Sequence, residues 1–224
     1  MIVDNLTKLN QKKKLWMTPK HPLYMKSVKY KVVYGAVVFM QAELDCLVSP
    51  LNNFELERLL LAGFELGTEQ MSEVLRYSKN KSESIDLLIN AFESEREKYL
   101  LLLDIINVSL RDAKLQKKEE ESIQLFAKMF DVSREALSLL KEFAISASKE
   151  DVKTCRDILH RMHIQDMELT PVDMKYYIMR LWETMECTQE MLDKEHSEKY
   201  FQHALCISCL LYTSDAADDR ISVD

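Results

Sequence analysis

Three glycines and four prolines in 224 residues narrow what this chain can fold into more than any other feature. A β-sandwich, barrel or doubly wound sheet needs a turn every ten residues or so, and turns draw chiefly on those two residue types. So few of them predict an all-α protein, a multi-helix bundle. The same scarcity removes the loops that cradle phosphates. Gly35, Gly63 and Gly67 form neither a GxGxxG nor a GxxxxGKS/T pattern, which argues against a nucleotide-dependent enzyme. With 47% hydrophobic residues the chain can nevertheless bury a full core.

Residues 209–224 stand apart. Cys209 to Asp218 resembles the translation of a transposase-type sequencing-library adapter, TGT CTC TTA TAC ACA TCT GAC GCT GCC GAC, and the segment is read as a non-native tail outside fold reasoning. Without it the net charge of −7 becomes −4 over residues 1–208, because the tail holds four Asp and one Arg. Cys206-Ile207-Ser208-Cys209, preceded by His203, then ceases to be a zinc-type motif. The other cysteines, Cys46, Cys155, Cys187 and Cys206, are widely spaced, and no secretory apolar segment follows the N-terminal lysines. A cytoplasmic setting is expected.

Charge then divides the remainder. Residues 1–31 carry eight Lys and one Asp, a net +7, whereas residues 32–208 sum to −11. Residues 1–26 read as a basic N-terminal arm, 27–147 as a helical domain and 148–208 as a C-terminal helical extension. Ile2, Leu6, Leu9 and Trp16 of the arm share a helical spacing beside Lys12-Lys13-Lys14, and Pro19 and Pro22 end any helix there. The arm either touches an anionic membrane surface or an acidic protein partner, or it folds onto the acidic body. No nucleic-acid partner is expected.

The pattern from Ser27 onward is continuously helical. Val28, Val32, Val38 and Phe39 mark a first buried helix, and Leu56, Leu59, Leu60 and Phe64 a second. Gly67-Thr68 separates that one from a helix over 69–78, and Ser82 or Ser84 opens the next. Tyr99–Leu110 is apolar nearly all round and predicts a central helix, within which Asp104 is either hydrogen-bonded inside the bundle or faces a groove. Gln116–Phe130 follows, then a helix capped by Ser133, then one opened by a Ser148/Asp151 capping box and running to His163. Thr170-Pro171-Val172-Asp173 starts a long helix whose Met174, Ile178, Leu181, Met185 and Leu192 form one stripe, either core or the seam for a partner helix.

Two helix-loop-helix corners share a pattern. Asp45 precedes Val48 by three residues as Asp112 precedes Leu115, and each corner leads into polar or acidic residues, Glu55 in the first and Glu119-Glu120 in the second. On these residues the stretch from about 28 to 145 resembles the TerB-like family of the tellurite-resistance system. That resemblance implies two helical repeats whose acidic corners line one surface, acting without catalysis in a bacterial stress-response or envelope-associated complex. Oxygen ligands at such corners suit a divalent cation, Ca²⁺, Mg²⁺ or Mn²⁺. The expected metal residues are Asp45, Glu55, Asp112, Glu119 and Glu120. Cys46 and Ala113 replace the family's corner glycines, and Asn52 stands where the first corner's acid belongs. The alternative is a metal-independent helical adaptor working through its basic arm and C-terminal amphipathic helix.

Overall fold

A computed structural model of the chain describes residues 19–43, 55–110, 115–149 and 151–188. Asp45 and Asp112, the arm before residue 19 and everything after Thr188 lie outside the described residues. Within them there are nine helices and no strand: α1 (Val28–Ala42), the π-helical α2 (Arg58–Gly63), α3 (Thr68–Lys79), α4 (Lys81–Ile89), α5 (Glu95–Ser109), α6 (Lys117–Met129), α7 (Arg134–Ser148), α8 (Val152–Ile164) and α9 (Pro171–Thr188). Among the described residues no helix is long and apolar enough to cross a membrane.

The helix starts follow local chemistry. The Ser27 hydroxyl accepts from the Tyr30 amide and the Ser133 hydroxyl from the Ala136 amide, each satisfying a donor that the first turn leaves over. Ahead of α8 the cap is Asp151, which accepts from both the amide and the hydroxyl of Thr154. The expected pairing of Ser148 with Asp151 is therefore corrected: the Ser148 hydroxyl donates back to the Ile145 carbonyl and finishes α7. Thr170 and Asp173 form a reciprocal capping box, amide to side chain in both directions.

The glycine-poor composition reappears at the helix ends. Glu65, Asp131 and Asp166 adopt φ of 55°, 56° and 53°, the left-handed conformation that usually falls to glycine. After each, the next amide reaches back to a helical carbonyl: Leu66 to Leu60, Val132 to Ala127 and Met167 to Met162. The chain stops its helices in the usual way and accepts strain at acidic residues to do so.

α5 is the central element. Leu100, Leu101, Leu102, Ile105 and Ile106 are fully buried, because α1 and α9 pack against this helix together with α6 and α7. α3 and α4 pack on α1, and α8 on α7. One apolar core runs through all of this, from Leu23 to Ile178. It includes Met174 and Ile178, so the α9 stripe is core at these positions and not a free seam. The segment before α1 belongs to it as well. Residues 19–26 form a strap in which His21 and Leu23 are buried and the His21 amide donates to the Gly63 carbonyl. Gly63 lies directly beneath the strap, and a Cβ there would reach van der Waals contact with the His21 Cβ at 3.5 Å and the Tyr176 hydroxyl at 3.4 Å.

Candidate functional site

Charged side chains gather where α2, α5 and α9 meet the strap, in the interior of the bundle. Asp104 sits in the most apolar helix and is completely buried. Its Oδ2 accepts from the Tyr34 hydroxyl at 2.6 Å and meets His21 Nε2 at 2.9 Å, while its Oδ1 accepts from Arg180 Nη1 at 2.8 Å. Of the two readings left open by the sequence, the hydrogen-bonded interior is the one realised.

Arg180 carries the network onward. Its Nη2 donates to Glu55 Oε2 at 2.9 Å, and its Nη1 also reaches the Tyr176 hydroxyl at 3.1 Å. Glu55 Oε1 in turn accepts from Arg58 Nη1 at 2.9 Å. The wide π-helical turn of α2 places Arg58 on the inner side, where it is only 1% exposed. Tyr177 closes the group by donating to the Leu100 carbonyl at 2.8 Å.

His21 is held in one tautomer. The Leu23 amide donates to Nδ1 at 3.0 Å, so Nδ1 is the acceptor and Nε2–H is the donor toward Asp104. The ring packs against Phe64, with centroids 4.4 Å apart, and edge-on against Tyr176 at 5.1 Å. Burial disfavours the imidazolium and lowers the His21 pKa, more than the neighbouring Asp104 raises it. Burial also opposes ionisation of Asp104, but His21, Arg180 and Tyr34 outweigh it and hold this carboxyl below its ordinary range. The acceptor role of Nδ1 makes the imidazole neutral in this arrangement, and the Asp104 carboxylate keeps Arg180, Tyr34 and the Nε2–H of His21 as donors. Tyr34 and Tyr177 are pushed well above their usual pKa, first by burial and then by the Asp104 charge.

Of the expected metal residues the structure places Glu55, Glu119 and Glu120, each with a partner of its own. Glu55 is buried between the two arginines. Glu119 is 2% exposed and reaches back to the Gln116 amide at 2.7 Å, capping α6. Glu120 pairs with Lys141 of α7. Asp45 and Asp112 lie outside the described residues, among which no group of three or more His, Cys, Asp or Glu is arranged to hold a metal ion. Arg58, Arg180 and His21 carry the network, yet sequence reasoning passed over all three. Arg180 had a signal: it lies between Ile178 and Leu181 of the expected stripe.

No family model matches the chain, and neither a curated protein nor a solved structure does. The TerB-like assignment is overturned by that result, together with the tellurite-resistance, stress-response and metal-binding roles attached to it. A short Asp-to-Glu spacing at a helix corner is too common in helical proteins to carry a family by itself.

The open surface lies elsewhere. Between the start of α1 and the end of α4 runs a groove of about 480 Å³, lined by Lys29, Tyr30 and Val33 on one side and Leu87, Leu88 and Phe92 on the other. Tyr24, Met25 and Val28, in the adjoining stretch of chain, are 40%, 79% and 51% exposed. Lys26 also lines the groove and is held by Glu93 and Glu97.

Proposed function

We propose that the chain is a non-enzymatic helical adaptor that docks an acidic, apolar-anchored segment of a protein partner in the groove between α1 and α4. The observation that supports this is an open groove of mixed apolar and polar lining beside exposed Met25 and Val28, with Lys29 on its wall, in a chain whose residues 1–31 carry a net +7 in sequence. Apolar walls supply burial and the lysines supply long-range attraction, the division of labour found at many protein interfaces. The C-terminal helix is not the docking element in this reading, because Met174 and Ile178 are already committed to the core.

Titrating isotope-labelled protein with a 20-residue peptide that alternates Glu with Leu at helical spacing tests the proposal. Saturable amide shifts at Lys29, Val33, Leu88 and Phe92, reduced by Lys29→Glu and by added salt, are expected. Absence of saturable shifts at millimolar peptide overturns it. Shifts confined to anionic phosphatidylserine vesicles overturn it in favour of a membrane contact.

A further inference from the structure

We infer that the His21 imidazole is an acid-operated latch for the strap, residues 19–26: taking up one proton breaks its hydrogen bond to the Leu23 amide and releases the strap while the helical core stays folded. This inference stands independently of the docking groove.

The argument is geometric. A neutral imidazole has one donor and one acceptor, and both are used: Nε2–H toward Asp104 and Nδ1 toward the Leu23 amide. Protonation converts Nδ1 into a second donor that faces an amide N–H 3.0 Å away. Two donors cannot share that contact, and the Leu23 amide lies in a buried turn. The strap must move or the proton must stay out.

Every charged or titratable neighbour of the ring bears on whether the new charge is tolerated in place. α5 contributes Asp104, α1 contributes Tyr34, and α9 contributes Asp173, Tyr176, Tyr177 and Arg180. The two carboxylates are the favourable ones, and each already holds an arginine: Asp104 binds Arg180, and Asp173 binds Arg96 through two hydrogen bonds. Arg180 opposes the imidazolium directly. The tyrosines cannot compensate, since burial keeps them protonated.

The strap is built to separate from the core. Apart from the His21 and Leu23 side chains, it is held by the His21 amide on the Gly63 carbonyl, by Lys20 on exposed Glu65, by Lys26 on Glu93 and Glu97, and by Lys31 of α1, which donates to the Tyr24 carbonyl at 3.2 Å near the surface. Its other backbone bonds, Tyr24 to His21 and Lys26 to Leu23, are internal turns that unwind with it. The core beneath keeps its own helix-to-helix packing.

Hydrogen exchange of the whole chain at several pH values, corrected for intrinsic rates, tests this. Protection of the Leu23, Tyr24 and Lys26 amides is expected to fall about ten-fold per pH unit below the ordinary imidazole value of ~6.5, and to lie well below that of the α5 amides at every pH, because the strap opens without global unfolding. His21→Gln, whose side-chain amide can still donate to Asp104 but does not titrate, is expected to abolish that slope. The ¹⁵N shifts of the wild-type imidazole give a readout that needs no variant, and are expected to show protonation in step with strap opening. Strap amides as strongly protected as those of α5 at every pH, and so released only by global unfolding, would overturn the latch, as would an imidazolium observed with the strap still protected. So would an unchanged slope in the glutamine variant.

Discussion

Asp131 and Asp166 occupy left-handed backbone at φ of 56° and 53°, where an L side chain is strained and glycine is not. Among the described residues no hydrogen bond or ion pair of either side chain offsets that strain. Asp131→Gly and Asp166→Gly are each expected to stabilise the protein by about 1 kcal/mol, read as a higher urea midpoint at unchanged slope. Glu65 shares the conformation but also binds Lys20 of the strap, so Glu65→Gly is expected to gain less. Arg180 is the opposite kind of residue. It is completely buried and bridges Asp104 to Glu55, so Arg180→Met leaves two carboxylates in the core without their shared cation. A loss of roughly 3–5 kcal/mol is expected in denaturant unfolding, the usual scale for breaking one side of a buried ion pair. A paired Asp104→Asn change should recover part of it, by removing one of the stranded charges.

At the level of elements, α9 is attached at its first turn as well as through its apolar face. Asp173 accepts from the Thr170 amide and, bidentately, from Arg96 of α5 at 2.8 and 2.6 Å. One carboxylate thus caps α9 and fastens it to the central helix. Thr170→Ala removes only half a capping box and is expected to cost about 1 kcal/mol. Asp173→Ala removes the cap and leaves a half-buried Arg96 without its carboxylate, for an expected loss of about 3 kcal/mol. Thermal melting distinguishes the two. Elements of this kind were legible in the sequence because their signals are local: Ser27, Ser133 and the Thr170–Asp173 start announce their helices, and the apolar run from Tyr99 announces the central one. Ser148 was misread because two side chains near one helix junction can both cap, and only the tertiary path shows that Asp151 meets Thr154. The π-helical turn at Arg58–Gly63 carries no such local signal, and it begins at the buried Arg58 that pairs with Glu55.

For the whole molecule, the interior network was only partly legible. Asp104 stood out as a charge in an apolar helix, but its partners come from positions 21, 34 and 180, and no spacing rule connects residues so far apart. His21 was hidden further, because a lysine-rich arm reads as surface until its histidine is seen packed on Phe64. Glu55 had the right chemistry for a cation and found two arginines instead. These contacts make global stability depend on pH. Burial lowers the His21 pKa in the folded chain from an ordinary value of 6.5, so below that value the unfolded chain binds a proton that the native interior excludes. Stability is therefore fully present above about pH 6.5 and declines as pH falls from there toward the folded value, with a slope of up to ~1.4 kcal/mol per pH unit. The Asp104 pKa is also lowered, so its contribution is present above the ordinary carboxylate range and is lost at more acid pH. Two separate descents are expected in urea unfolding between pH 7.5 and 3, the first from His21 and the second from carboxylates including Asp104. His21→Gln should remove the first and keep the second. A single descent beginning only below pH 5 in the wild type would mean that the imidazole is as easily protonated inside the protein as in water.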